Sequence, residues 1–389
     1  MLTALLFVLL PLSHVGAQRH APWKEELESK REAWSHKGWQ CLQQTTPNIK
    51  LQYPADAEEH FFEIHRDMLA WAMADDHVMH GYAGYNGPWI ENVWITHFWK
   101  AYTGLTSRKM DNTTRPRKRL SRVFGPFVPL LIAWTDFWVF GNGHYPTEMV
   151  AALRRVVRPN VPYITVSQND QGITGHCELL MHDFPNILVL SAGGYGHIPV
   201  PLMTQPGKLK HLKPFEERQY LVSFVGTLDH APNDLRQRMH QYMESHANQD
   251  RFNYTAFRGD GWEEVMRNSV ASLTPRGFGR SAFHIAEAIN MGLIPVYVYG
   301  ETQWVPYEHM FHQFGFVVSV DNMDGWLKKF LKMGWDNLQK MEMRVSQISS
   351  SHFTFSGVMR QVGHYMLHKE PCDLQCQTLP PSRREAGDC

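Results

Sequence analysis

At 389 residues the chain exceeds one ordinary core and fits two packed domains with terminal segments to spare. Its 43% hydrophobic and 20% charged residues are those of a globular protein, neither a disordered chain nor a bundle of membrane spans. Lys+Arg and Asp+Glu balance at 38 each, so no net field recommends nucleic acid as a partner, and electrostatic recognition has to be local.

The chain opens on an apolar run from Met1 to Leu12 that ends near Val15-Gly16-Ala17, small residues that suit signal peptidase. A membrane-spanning helix needs roughly 20 apolar residues. Residues 1–17 are shorter, and read as a signal peptide or a short signal-anchor; membrane association would run through this segment alone, if it is not cleaved. The expected location is the lumen of the Golgi or endoplasmic reticulum, or outside the cell. Asn112-Thr113-Thr114 and Asn253-Tyr254-Thr255 are glycosylation sequons that fit such a route. Five cysteines, Cys41, Cys177, Cys372, Cys376 and Cys389, allow two disulfides, with Cys372 and Cys376 the favoured local pair and other pairings open.

The Glu-rich stretch from Trp23 to Ser35 predicts a surface helix, and helical spacing of Phe61, Phe62, Ile64, Met68, Leu69 and Met73 predicts another over Ala55 to Asp76. Residues 81–89 read as a loop. Apolar β-prone runs at Phe127–Trp134, Phe137–Phe140, Tyr163–Ser167 and Ile187–Ser191 predict strands, with a helix over Thr147–Val157 between them. The proline-rich, lysine-rich stretch from Pro199 to Pro214 predicts a linker. It separates an N-terminal, acceptor-side domain at 40–205 from a C-terminal donor domain at 215–345.

Beyond the linker the pattern alternates regularly. Strands are predicted at Tyr220–Val225, Phe252–Phe257, Val270–Thr274, Pro295–Tyr299 and Phe316–Val320, and helices at Asn233–His246, from Trp262, and at Ser281–Met291. Such alternation predicts a doubly wound α/β domain. A C-terminal helix at 346–370 and a tail at 371–389 complete the chain.

The run from Ser272 to Val296 is a strand, a glycine turn, a helix and a strand. Gly277 and Gly279 let the backbone turn sharply, and the helix start near Ser281 points unpaired amides at whatever sits before it. Arg276 adds a forked donor that suits diphosphate oxygens, but an arginine here also suits a structural ion pair. Ser281, His284 and Glu287 fall on one helical stripe, and Glu287 sits where a carboxylate can accept from ribose hydroxyls.

The run Pro275-Arg276-Gly277-Phe278-Gly279-Arg280-Ser281-Ala282-Phe283-His284-Ile285-Ala286-Glu287-Ala288, with Gly292-Leu293-Ile294-Pro295-Val296, resembles the donor-site signature of exostosin-type glycosyltransferases. Upstream, the run from Tyr220 to Gly226 and the following Arg236 resemble the strand, glycine turn and arginine of that family. The resemblance implies a GT-B fold, two Rossmann-like doubly wound α/β domains facing a cleft, and inverting transfer from a UDP-sugar to a glycan or glycoprotein acceptor. It implies that Arg236 and Arg276 hold the diphosphate, that Gly226 and Gly277 allow close approach, and that Ser281, His284 and Glu287 meet the nucleotide. His284 stands where the family has Arg.

Inverting transfer needs a base for the acceptor hydroxyl. Asp170, in the turn after the Tyr163–Ser167 strand, is the candidate; an aspartate there also suits an Asx-type turn, and Asp136 and His97 are rivals. No Asp-x-Asp motif occurs, so the expectation is a metal-free reaction with UDP-sugar as co-substrate and no further cofactor. His176-Cys177-Glu178 with Cys372 and Cys376 imitates a zinc deaminase pattern, but the spacing of the two cysteines is wrong for it. A homologous transferase is a possible partner. The competing expectation is a binding homologue that recognises nucleotide or glycan and assists a partner transferase without turnover.

Overall fold

The computed structural model describes residues 36–72, 88–104, 116–203, 212–247 and 253–368. The signal segment, the helix expected at Trp23–Ser35, Asn112 and the cysteine tail lie outside these residues.

In the first lobe four parallel strands lie side by side in chain order: β1 (Val128–Pro129), β2 (Tyr163–Ser167), β3 (Ile187–Ser191) and β4 (Ile198–Pro199). Every residue of β2 and β3 is buried, as in a parallel sheet covered on both faces. The cover comes from α1 (Lys37–Thr45), packed on β3, and α3 (Ile90–Thr103), packed on β2. Helix α2 (Ala57–Met68) packs on α6 (Thr147–Val156). The density of aromatics explains itself here: Phe61, Trp94, Trp99, Tyr102 and Phe124 are all buried in one core, Phe124 from the short helix α4 (Ser121–Phe124). Burying each such side chain contributes roughly 1.5–3 kcal/mol.

Three expectations fail in this lobe. The run Phe137–Phe140 is helical, within α5 (Trp134–Phe140), because the Glu91 carboxylate accepts the Thr135 amide at 2.6 Å and satisfies a donor at the helix start. Of Phe127–Trp134 only Val128 and Pro129 pair in the sheet. Nor does the linker begin at Pro199: Ile198 and Pro199 pair with Leu190 and Ser191, and Val200, Leu202 and Met203 are buried.

The second lobe is a five-stranded parallel sheet in the order β6-β5-β7-β8-β9. Its strands are β5 (Tyr220–Val225), β6 (Tyr254–Phe257), β7 (Ser269–Pro275), β8 (Ile294–Tyr299) and β9 (Phe316–Ser319). Helices α7 (Leu235–His246), α8 (Trp262–Arg267), α9 (Phe283–Met291), α10 (Glu308–Phe311) and α11 (Met323–Leu331) alternate with them. The architecture is two Rossmann-like α/β lobes built on parallel sheets.

The chain end links the lobes. Instead of one helix from residue 346, α12 (Trp335–His352) runs on to His352, and α13 (Phe355–Leu367) starts where Thr354 Oγ1 accepts the Gly357 amide at 3.0 Å. Helix α12 packs on α9, whereas α13 crosses to α3 and α4 and buries Val362, Tyr365 and Met366 in the first core.

Candidate functional site

The chain enters the second sheet at β5, adds β6 on one side, then returns to build β7, β8 and β9 on the other. Strands β5 and β7 are neighbours, with Val222 opposite Ala271 and Phe224 opposite Leu273, yet the loops that follow them leave in opposite directions. Such a reversal opens a crevice at the carboxyl ends of the two strands, where open α/β sheets hold their ligands. The glycine turns read from the sequence, Gly226 and Gly277, are the loops that leave these two strands. Gly226 has φ of 145°, which favours glycine.

Arg236, one position into α7, ties the two loops together. Its Nε donates to the Arg276 carbonyl at 3.0 Å and its Nη1 to the Thr227 carbonyl at 2.9 Å. Nη2 lies 3.8 Å from where a β-carbon on Gly277 would stand. Burial lowers the pKa to about 10, so the guanidinium is still charged at neutral pH.

Arg276 is 7% exposed and grips its own loop: Nε donates to the Gly279 carbonyl at 3.1 Å and Nη2 to the Phe278 carbonyl at 2.8 Å. Nη1 stands 3.9 Å from Glu301 Oε2. Donors that the sequence reading reserved for diphosphate thus shape the turn. The loop is closed further by the Gly277 amide, which donates to the carbonyl of buried Ser281 at 3.0 Å.

Beside these loops lies a cavity of about 110 Å³, lined among others by Asn233, Arg238, Arg276, Glu301 and Asp321. Its residues come from the turn before α7 and the start of α7, and from just beyond the carboxyl ends of β7, β8 and β9. Phe278, 66% exposed at the loop tip, has its ring 5.5 Å from that of His230.

His284 and Glu287 are placed differently from what the stripe suggests. His284 Nε2 is 3.0 Å from Ser272 Oγ, and its Nδ1 is 3.3 Å from Glu287 Oε2. The order copies a nucleophile, base and orienting carboxylate, but Ser272 is fully buried in mid-strand, where no substrate reaches it. The relay pins α9 onto β7. Glu287 does not line the cavity; the carboxylates that do are Glu301 and Asp321.

Across the crevice the first lobe presents two loops of its own. Asp170 lies in the turn after β2, and Gly193-Gly194 follow β3. A β-carbon on Gly279 would come within 2.1 Å of the Gly193 carbonyl and 2.8 Å of Asp170 Cβ, so the donor loop and the Asp170 turn touch. Arg280 Nη1 donates to the Gly194 carbonyl at 3.0 Å, with its guanidinium 5.8 Å over the Tyr195 ring. Trp304 Nε1 donates to the Ser191 carbonyl at 3.1 Å, and the Tyr297 hydroxyl donates to the Arg280 carbonyl at 2.5 Å.

The two rivals of Asp170 are elsewhere. Asp136 is buried and accepts from Trp89 Nε1 at 2.5 Å and Asn92 Nδ2 at 2.7 Å; His97 is exposed on α3 with its ring edge-on to Phe98. Sequence reading missed Glu91, whose second oxygen accepts the Gln168 amide at 3.0 Å and so fixes the end of β2 next to Asp170. Burial pushes the Glu91 carboxyl up to about 7, against the pull of the Thr135 amide and with that of neighbouring Asp136. The one signal in the sequence was an acid inside an aromatic helix. Gly193 and Gly194 were missed as well, although a Gly-Gly pair after a strand is a turn signal.

Fold and crevice together define a two-lobed Rossmann-like protein with a crevice at the carboxyl ends of the strands of its second sheet. No family model matches the chain, and no curated protein matches it. Among solved structures it is similar to TarM, at 7% identity and a TM-score of 0.34, over 53% of this chain and 50% of that one. It is also similar to a structure of the GtfA/B complex, at 11% identity and a TM-score of 0.30, over 55% of each chain. The chain thus spans about half the length of the solved chains it matches.

Proposed function

We propose that the chain is an exostosin-like glycosyltransferase that moves a sugar from a UDP-sugar to a hydroxyl of a glycan or glycoprotein, with inversion. What carries the reading is the pair of glycine loops at the strand-order reversal, bridged by charged Arg236. A diphosphate set against these loops would meet the charged Arg236 guanidinium, which would stabilise the negative charge that grows on the leaving UDP. Phe278 and His230 offer flat faces to the base, and Glu301 is the carboxylate at the cavity for ribose or sugar hydroxyls.

Asp170 touches the donor loop from the other lobe, where an acceptor would approach. As the acceptor oxygen bonds to the anomeric carbon, its proton passes to Asp170 and the bond to diphosphate breaks, so no metal is invoked. The enzyme would work in the secretory lumen, either alone or beside a homologous transferase. The disulfide-bonded state of Cys41 and Cys177 accords with an oxidising compartment.

A second reading, a binding homologue without turnover, is favoured by the way Arg276 spends its donors on its own loop. Incubating the purified protein with individual UDP-sugars and measuring released UDP separates the two. Turnover is expected, with Asp170→Asn lowering kcat by about 100-fold or more while UDP binding is kept. Donor binding with no UDP released from any common UDP-sugar would leave only the second reading.

A further inference from the structure

Two turns of the first lobe meet at residues that do not line the crevice. After α5, Asn142 and Gly143 take positive φ values of 51° and 96° and reverse the chain into His144. The loop between β2 and β3 brings His176 and Glu178 against it. His144 Nδ1 is 3.4 Å from Glu178 Oε2, the rings of His144 and His176 stack with centroids 4.7 Å apart, and one ligand atom from each residue falls within 4.8 Å of the others.

We propose that His144, His176 and Glu178 bind a divalent transition metal, Zn2+ by the character of its ligands, at a site distinct from the donor crevice. Two imidazoles and a carboxylate suit Zn2+ better than the all-oxygen sites of Mg2+ or Ca2+. Two ligands bonded to a tetrahedral zinc at about 2.05 Å stand about 3.3 Å apart, close to the His144 to Glu178 spacing.

The carboxylate is held in place. The Tyr145 amide donates to Glu178 Oε1 at 2.9 Å, which leaves Oε2 towards His144, and Arg154 Nη2 donates to the Glu178 carbonyl at 2.8 Å. Bonds of this kind orient metal ligands. A β-carbon at Gly175 would stand 2.9 Å from Oε1, so a glycine makes room for the carboxylate, and Cys177, between the two ligands, is disulfide-bonded. His144 is 57% exposed, so water can complete the coordination. A bound ion would tie the turn after α5 to the loop that also carries Asp170.

Calorimetric titration of the full-length, disulfide-bonded protein with zinc chloride tests the site. One ion per chain is expected at micromolar affinity or tighter, weakened by about tenfold or more in both His144→Ala and His176→Ala. His364 and His368, one helical turn apart with rings 4.5 Å from each other, form the obvious competing chelate, so His364→Ala should leave the tight site unchanged. Co2+ should give the intense visible bands of a four-coordinate ion in the wild type and lose them in His176→Ala, with metal-free thermal melts to check that the variants fold. The proposal is overturned if the wild type takes up no Zn2+, or if His364→Ala removes the binding that His144→Ala and His176→Ala leave intact.

Discussion

Both sheets are parallel but differ in strand order, and the difference sets which strand ends stay open. In the first sheet β1, β2, β3 and β4 follow each other without reversal, and the end of β2 is filled from within by Glu91, which holds the Gln168 amide. In the second, the reversal between β5 and β7 parts two loops, and the carboxyl ends border a cavity of about 110 Å³. A strand end without a reversal is sealed by the protein's own carboxylate, while one beside a reversal is left open to a ligand. The first lobe therefore contributes through its edge, by the Asp170 turn and Gly193-Gly194, and the second through its crevice.

The largest effect should come from breaking the seal. Glu91→Ala strands two buried amides, those of Thr135 and Gln168, and should cost about 2–4 kcal/mol in denaturant unfolding while UDP affinity stays unchanged. The same carboxyl makes stability depend on pH. Its folded-state pKa of about 7 lies above the ordinary 4.5, so between those values the folded protein holds the proton more tightly and its contribution to stability falls as pH rises. A shift of that size corresponds to at most ~3 kcal/mol between about pH 4.5 and pH 7. Unfolding curves that grow steeper in stability with pH over this window, or a Glu91→Gln variant with the same slope, would count against it.

Breaking the open end is expected to cost somewhat less and in the opposite readout. Arg236→Ala should weaken UDP binding by about 10- to 100-fold, the value of charge-assisted bonds to phosphate, with a smaller loss of stability. The seam between the lobes comes next. Gly279→Ala sets a β-carbon against the Gly193 carbonyl and should destabilise by about 1–3 kcal/mol, seen as a lowered Tm. Smallest is Arg280→Gln, which removes one carbonyl bond and the stack on Tyr195, for about 1 kcal/mol or less.

The second lobe was legible because buried parallel strands are continuous apolar runs bounded by turn residues: Tyr220–Val225 is a strand from end to end, and the expected Val270–Thr274 lies inside β7. The first lobe was less so. Phe137–Phe140 has the composition of a strand, and the carboxylate that makes it helical comes from 44 residues earlier in the chain. Around the crevice, local pattern puts Gly226 and Gly277 in the turns that leave β5 and β7, and the structure has Arg236 donating to carbonyls of both loops. What the pattern does not give is how these side chains are engaged: His284 stands 3.3 Å from Glu287 on the same helix, and Arg276 donates to the Phe278 and Gly279 carbonyls of its own loop.

The central claim is that the reversal between β5 and β7 holds a nucleoside diphosphate. Titrating UDP into the full-length wild type and into Arg236→Ala, side by side in a calorimeter, tests it most directly. The account predicts one UDP per chain in the wild type and a clear weakening in the variant. No heat from UDP with the wild type, or equal affinity in the two proteins, would contradict it.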